Sequence, residues 1–123
     1  MELNDLTYKV IECIYKVHST LGPGLLESSY EVCLAYELLK VDLFVERQKA
    51  LPVIYNEIKM EAGYRIDLLV NKCILLELKS VDTIAPIHKA QVMTYLKLSG
   101  HKLGLLINFN VVDMKQGITR III

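Results

Sequence analysis

Apolar side chains recur at helical spacing near the N-terminus. Leu6, Val10, Cys13, Ile14 and Val17 lie three or four positions apart in NDLTYKVIECIYKVHST. That period predicts an amphipathic helix over 4–20, with Asn4 or Asp5 suited to cap it. Leu21-Gly22-Pro23-Gly24 breaks the pattern, and a second helix is expected from Leu25 to Lys40. Residues 44–56 (FVERQKALPVIYN) then read as extended, and Pro52, which cannot donate to a ladder, points to an edge position or a bulge. Segments 62–70 and 73–79 read as two strands of a hairpin. Ala85-Pro86 opens a third helix that runs to Ser99, with Pro86 in its first turn and Gly100 as its stop. Leu103–Phe109 and Ile118–Ile123 are two further apolar strands. The order ααβββαββ predicts an α/β fold, a sandwich of helices on a mixed central sheet.

The hairpin fixes its own register. Side chains alternate faces along a strand, so Ile66, Leu68 and Val70 share one face, and Ile74, Leu76 and Leu78 share one face of the partner strand. Matching apolar to apolar pairs Ile66 with Leu78, Leu68 with Leu76 and Val70 with Ile74; a slip by one residue would bury the charges. This register sets Asp67 opposite Glu77, with Lys79 on the same face, and requires an odd loop, Asn71-Lys72-Cys73. Two carboxylates directly opposed repel one another. A divalent cation removes that objection, because Mg²⁺ takes one or two carboxylates and keeps waters, leaving room for a phosphate. Otherwise the face is solvated, with an Asp67–Lys79 or Arg65–Glu77 surface pair.

Composition narrows the class. A 53% hydrophobic content and a mean hydropathy of +0.35 over 123 residues exclude disorder and predict a single domain spanning 1–123. No apolar run reaches membrane-spanning length, and the N-terminus carries no secretion pattern. Cys13, Cys33 and Cys73, odd in number and far apart, suit reduced and mostly buried thiols in the cytoplasm. Net charge is zero, but residues 1–46 carry eight acidic and three basic side chains, whereas residues 79–123 carry two acidic and six basic. The basic half allows a polyanionic partner without requiring one.

Asp67 and, ten positions on, Glu77-Leu78-Lys79 resemble the D…ExK signature of the PD-(D/E)XK nuclease superfamily, with Ile66 where proline often stands. Gly24-Leu25-Leu26-Glu27-Ser28-Ser29-Tyr30 resembles the pattern of the GxxExxY proteins within that superfamily, and Gln91-Val92-Met93-Thr94-Tyr95 its QxxxY element. The resemblance implies a restriction-endonuclease-like sandwich that hydrolyses phosphodiester bonds with Mg²⁺, or Mn²⁺ as a substitute. It implies that Glu27, Asp67 and Glu77 hold the ion, that Lys79 assists the attacking water, and that Gln91 and Tyr95 shape the pocket. Tyr30 reads as packing as much as function, and His88 as a hydrogen-bonded structural residue. DNA is expected ahead of RNA as substrate. With no added grip on nucleic acid in a chain this short, a homodimer or a protein partner is expected.

Other chemistries fall away. Gly22-Pro23-Gly24 starts like a dinucleotide loop, but it follows a helix and has Glu27 where a third glycine belongs. No nucleophile elbow, Walker or HExxH pattern occurs. The rival reading is a nuclease fold without activity, serving as a protein-binding or regulatory subunit.

Overall fold

The computed structural model describes residues 1–123. Two helices lead, α1 (Leu3–Leu21) and α2 (Glu27–Lys40). Five strands follow: β1 (Val45–Ala50), β2 (Val53–Tyr55), β3 (Ile58–Met60), β4 (Arg65–Val70) and β5 (Ile74–Lys79). Helix α3 (Pro86–Ser99), strand β6 (Leu103–Asn108), a 3₁₀ turn at Met114–Gly117 and strand β7 (Ile118–Ile122) complete the chain. The main sheet has the order β1-β4-β5-β6-β7. It is mixed: β5 and β6 run parallel across the α3 crossover, and the other neighbours are antiparallel. This is the expected α/β sandwich. The segment read as one strand over 44–56 is two, interrupted at Leu51-Pro52, and β2 hydrogen-bonds only to β3 in a separate hairpin.

Each face of the sheet has its own apolar core. On one side α1 and α2 pack through Val10, Ile14, Leu34 and Leu38 onto Leu68, Leu76, Leu105 and Ile107, all fully buried. On the other, Val92 and Leu96 of α3 meet Leu69, Leu75 and Leu106. Helix α3 lies close to β6 because Gly104 has no side chain: a Cβ there would come within 2.8 Å of Val92 Cγ1. That approach aims the Gln91–Tyr95 edge of the helix toward the end of β5. No helix is long and apolar enough to cross a membrane.

Helix ends differ slightly from expectation. Helix α1 starts at Leu3, so Asn4 and Asp5 lie inside it; its N-cap Glu2 makes no side-chain cap, and Asp5 instead faces the helix dipole. Gly100 closes α3 in the left-handed region at φ 78°, and His88 Nδ1 accepts from Ala85 N–H at 3.0 Å. His88 is therefore a capping residue, the hydrogen-bonded structural role expected of it. Of the thiols Cys13 is buried, but Cys73 is exposed because it sits in the hairpin loop.

The loop between α1 and α2 is tied down by one side chain. Tyr30 is fully buried and stacks on Phe109, ring centroids 4.4 Å apart. Its hydroxyl donates to Gly22 O at 2.6 Å and accepts from Leu25 N–H at 3.1 Å. Ser80 Oγ, just past β5, donates to Leu25 O at 2.7 Å. The first turn of α2 is thereby set beside the end of β5. Tyr30→Phe keeps the ring but leaves two backbone groups unsatisfied, an expected loss of about 1–3 kcal/mol, read as a lowered urea midpoint with an unchanged slope. An unaltered midpoint would mean that the hydroxyl does not hold the loop.

Candidate active site

The β4–β5 ladder pairs Leu68 with Leu76, Leu69 with Leu75 and Val70 with Ile74. The three-residue loop Asn71-Lys72-Cys73 and two of the three predicted pairs, Leu68–Leu76 and Val70–Ile74, are realised; the third, Ile66 with Leu78, does not form. Asn71 and Lys72 each take positive φ, near 50°. Backbone pairing gives out beyond Leu68 and Leu76. Leu78 N–H donates to the Asp67 carboxylate (Oδ2, 2.9 Å) instead of to a strand carbonyl. Alternation breaks at the same place: Ile66, expected beside Leu68 and Val70, packs in the α3-side core with Leu69. The strands open where Asp67 sits, and its side chain fills the gap.

Glu77 is buried, 5% exposed, and its Oε1 has no hydrogen-bond partner. The solvated-face alternative fails on this point, and neither Asp67–Lys79 nor Arg65–Glu77 forms an ion pair. Burial chiefly, and then hydrogen bonding and charge from the adjacent Asp67, push the Glu77 carboxyl up to about 9, with Lys79 opposing. Such a group holds a proton or a cation at neutral pH. Burial, then Glu77 and Asp67, also raise the Tyr95 phenol, which stays a hydrogen-bond donor.

A polar cavity of about 410 Å³ lies on the α2 side, lined by Glu27, Ser28, Glu31, Gln48, Asp67 and Leu78. A larger one of about 670 Å³ lies on the α3 side, and Lys79, Gln91 and Tyr95 line it. The residues expected at the site are thus divided between two hollows, with the Asp67–Glu77 pair in electrostatic reach of Tyr95 in the second. Gln91 Nε2 and Tyr95 Oη are 3.5 Å apart, one helical turn along α3.

The three acids expected to converge are not gathered into a ready ligand cluster, and no group of three His, Cys, Asp or Glu side chains is spaced for a metal ion. Glu27 is exposed at the rim of the Asp67 cavity. Like charges repel, and both Asp67 oxygens are already engaged. Two neighbouring carboxylates with one bare buried oxygen nevertheless fit a divalent cation, which needs one or two carboxylates and completes its shell with water.

Two further side chains enter the site unforeseen. Gln48 Nε2 donates to Glu31 Oε1 at 2.5 Å and to Asp67 Oδ1 at 3.3 Å. Glu31, buried in α2, also accepts from Arg47 Nη2 at 3.1 Å. Gln48 reaches both because its backbone is left-handed, φ 49°, within edge strand β1. The one signal in the sequence was Glu31 standing four after Glu27, on the same helix face.

The family model of the PD-(D/E)XK nuclease superfamily matches residues 4–121. The chain belongs to that superfamily. No curated protein and no solved structure matches it significantly. Within this PD-(D/E)XK chain Asp67 lies on β4, Glu77 and Lys79 on β5, and Gln91 and Tyr95 on α3.

Proposed function

We propose that this chain is a metal-dependent nuclease of the GxxExxY group, hydrolysing nucleic-acid phosphodiester bonds with Mg²⁺ or Mn²⁺, on DNA ahead of RNA, in the cytoplasm. One observation carries the reading: the bare, buried Oε1 of Glu77 beside Asp67, two residues from Lys79. Superfamily nucleases generally use divalent metal ions. Asp67 and Glu77 would hold the ion, with Glu27 supplying charge from the rim. When bound, it supplies an activated water and neutralises phosphoryl charge. Lys79 orients the attacking water and offsets the charge gathering on the phosphate. Tyr95 and Gln91 donate hydrogen bonds to the substrate from α3. Gln48 keeps Asp67 aimed, and Arg47 neutralises Glu31 behind it. A second copy or a protein partner would add the grip on a polyanion that a chain of zero net charge lacks.

Cleavage of linear, circular and single-stranded DNA and of RNA with Mn²⁺ tests this. Wild type should cut at least one substrate, and Lys79→Ala should be about a hundredfold slower. No cleavage of any substrate, or equal rates in the two proteins, would instead favour the inactive regulatory subunit.

A further inference from the structure

The α3-side cavity is not accounted for by metal chemistry. Its volume, about 670 Å³, falls within the roughly 300–1,000 Å³ of pockets that enclose an organic ligand. Its walls come from the separate β2–β3 hairpin and the segment that follows it, from α3, and from Lys79 at the end of β5. Met60, Tyr64, Ile87, Tyr95 and Leu98 line it, while Gln91 and Thr94 add hydrogen-bonding groups. Tyr64 is half-exposed, and its backbone carbonyl accepts from Leu51 N–H at 2.9 Å. Lys79 brings an ammonium to the lining, and His88 there is engaged in capping α3, its Nδ1 accepting from Ala85 N–H.

We propose that this cavity binds an unstacked base of a single-stranded nucleic acid and seats the adjoining phosphate at Lys79. The inference rests on the nuclease reading of the neighbouring site. An apolar cleft with aromatic walls and a single lysine is poorly built for a polyanionic backbone. It suits a flat ring with polar edges, which stacks on tyrosine and meets Gln91 or Thr94 at its rim. The cation stands at the end nearest Glu77, where the phosphate of the same nucleotide would enter. Bases paired in a duplex have no free faces to offer, so the substrate is a single strand or a splayed end. With one lysine in the lining, base contact outweighs counterion release, and affinity falls only shallowly with salt.

The test is binding in EDTA, where cleavage cannot interfere. The whole chain is titrated against a fluorescent oligothymidylate of about 12 nucleotides, its abasic counterpart and the matching duplex. Wild type should bind the single strand about tenfold or more tightly than the abasic strand, because stacking contributes roughly 1–3 kcal/mol per base. Tyr64→Ala and Ile87→Ala, both at exposed positions, should lose that preference and bind the abasic strand as wild type does. Equal affinity for single strand, duplex and abasic strand overturns the inference. So does the absence of binding, or self-association through this face that Tyr64→Ala abolishes. If the base preference holds while Mn²⁺ cleavage is nil, the nuclease reading falls and the cavity stands. If cleavage occurs without base preference, the reverse follows.

Discussion

Glu77→Gln is expected to make the metal-free protein more stable than wild type above neutral pH and to flatten its stability against pH. The Glu77 carboxyl sits near its ordinary value of 4.5 when unfolded and is pushed up to about 9 by folding. Between these values the native state holds a proton that the unfolded state has released. Stability is therefore full below about pH 4.5 and declines as pH rises toward 9, by roughly 1.4 kcal/mol per unit. By pH 8.5 the accumulated loss is several kcal/mol, a large share of the roughly 5–15 kcal/mol that holds a domain together. Glutamine keeps the shape, cannot ionise, and offers an N–H to the adjacent Asp67. Urea midpoints at pH 5.5, 7 and 8.5 with EDTA should converge at the acidic end and separate steadily above it. Parallel curves would show that Glu77 ionises freely in the folded protein.

The same residue shows what the sequence could and could not convey. Strand alternation alone paired Leu68 with Leu76 and so placed Asp67 near Glu77, because a one-residue slip would turn the apolar side chains of one strand away from those of the other. The QxxxY spacing likewise put Gln91 and Tyr95 on one edge of α3. Alternation is a local rule, however, and it stops where the ladder stops. That Asp67 would take the Leu78 N–H, and that Ile66 would turn to the other core, follows from the strands opening at that point. Gln48 was illegible for a related reason: a left-handed glutamine in a strand has no propensity signal and is held by Glu31 and Asp67, far along the chain. The β2–β3 hairpin, two strands of three residues each, is too short for a period to declare itself. Tertiary contacts decided all three.

Asp67→Asn separates structure from chemistry at this site. Asp67 accepts from Leu78 N–H through one oxygen and from Gln48 Nε2 through the other. Asparagine has one acceptor oxygen, so one of these donors will face an amide N–H. The structural cost is about 1 kcal/mol, and part of it returns at high pH because a neutral neighbour lets Glu77 ionise more easily. The catalytic cost is of another order. A bound cation is worth several kcal/mol of transition-state charge stabilisation, so losing one of its two carboxylates should slow cleavage roughly a thousandfold. A merely structural Asp67 predicts the first effect without the second, since a protein destabilised by 1 kcal/mol remains folded in the assay. Urea midpoints and single-turnover cleavage with Mn²⁺, measured on one preparation, give both quantities. A cleavage rate within about tenfold of wild type would remove the carboxylate pair from the reaction and leave it as the clasp that ends the β4–β5 ladder.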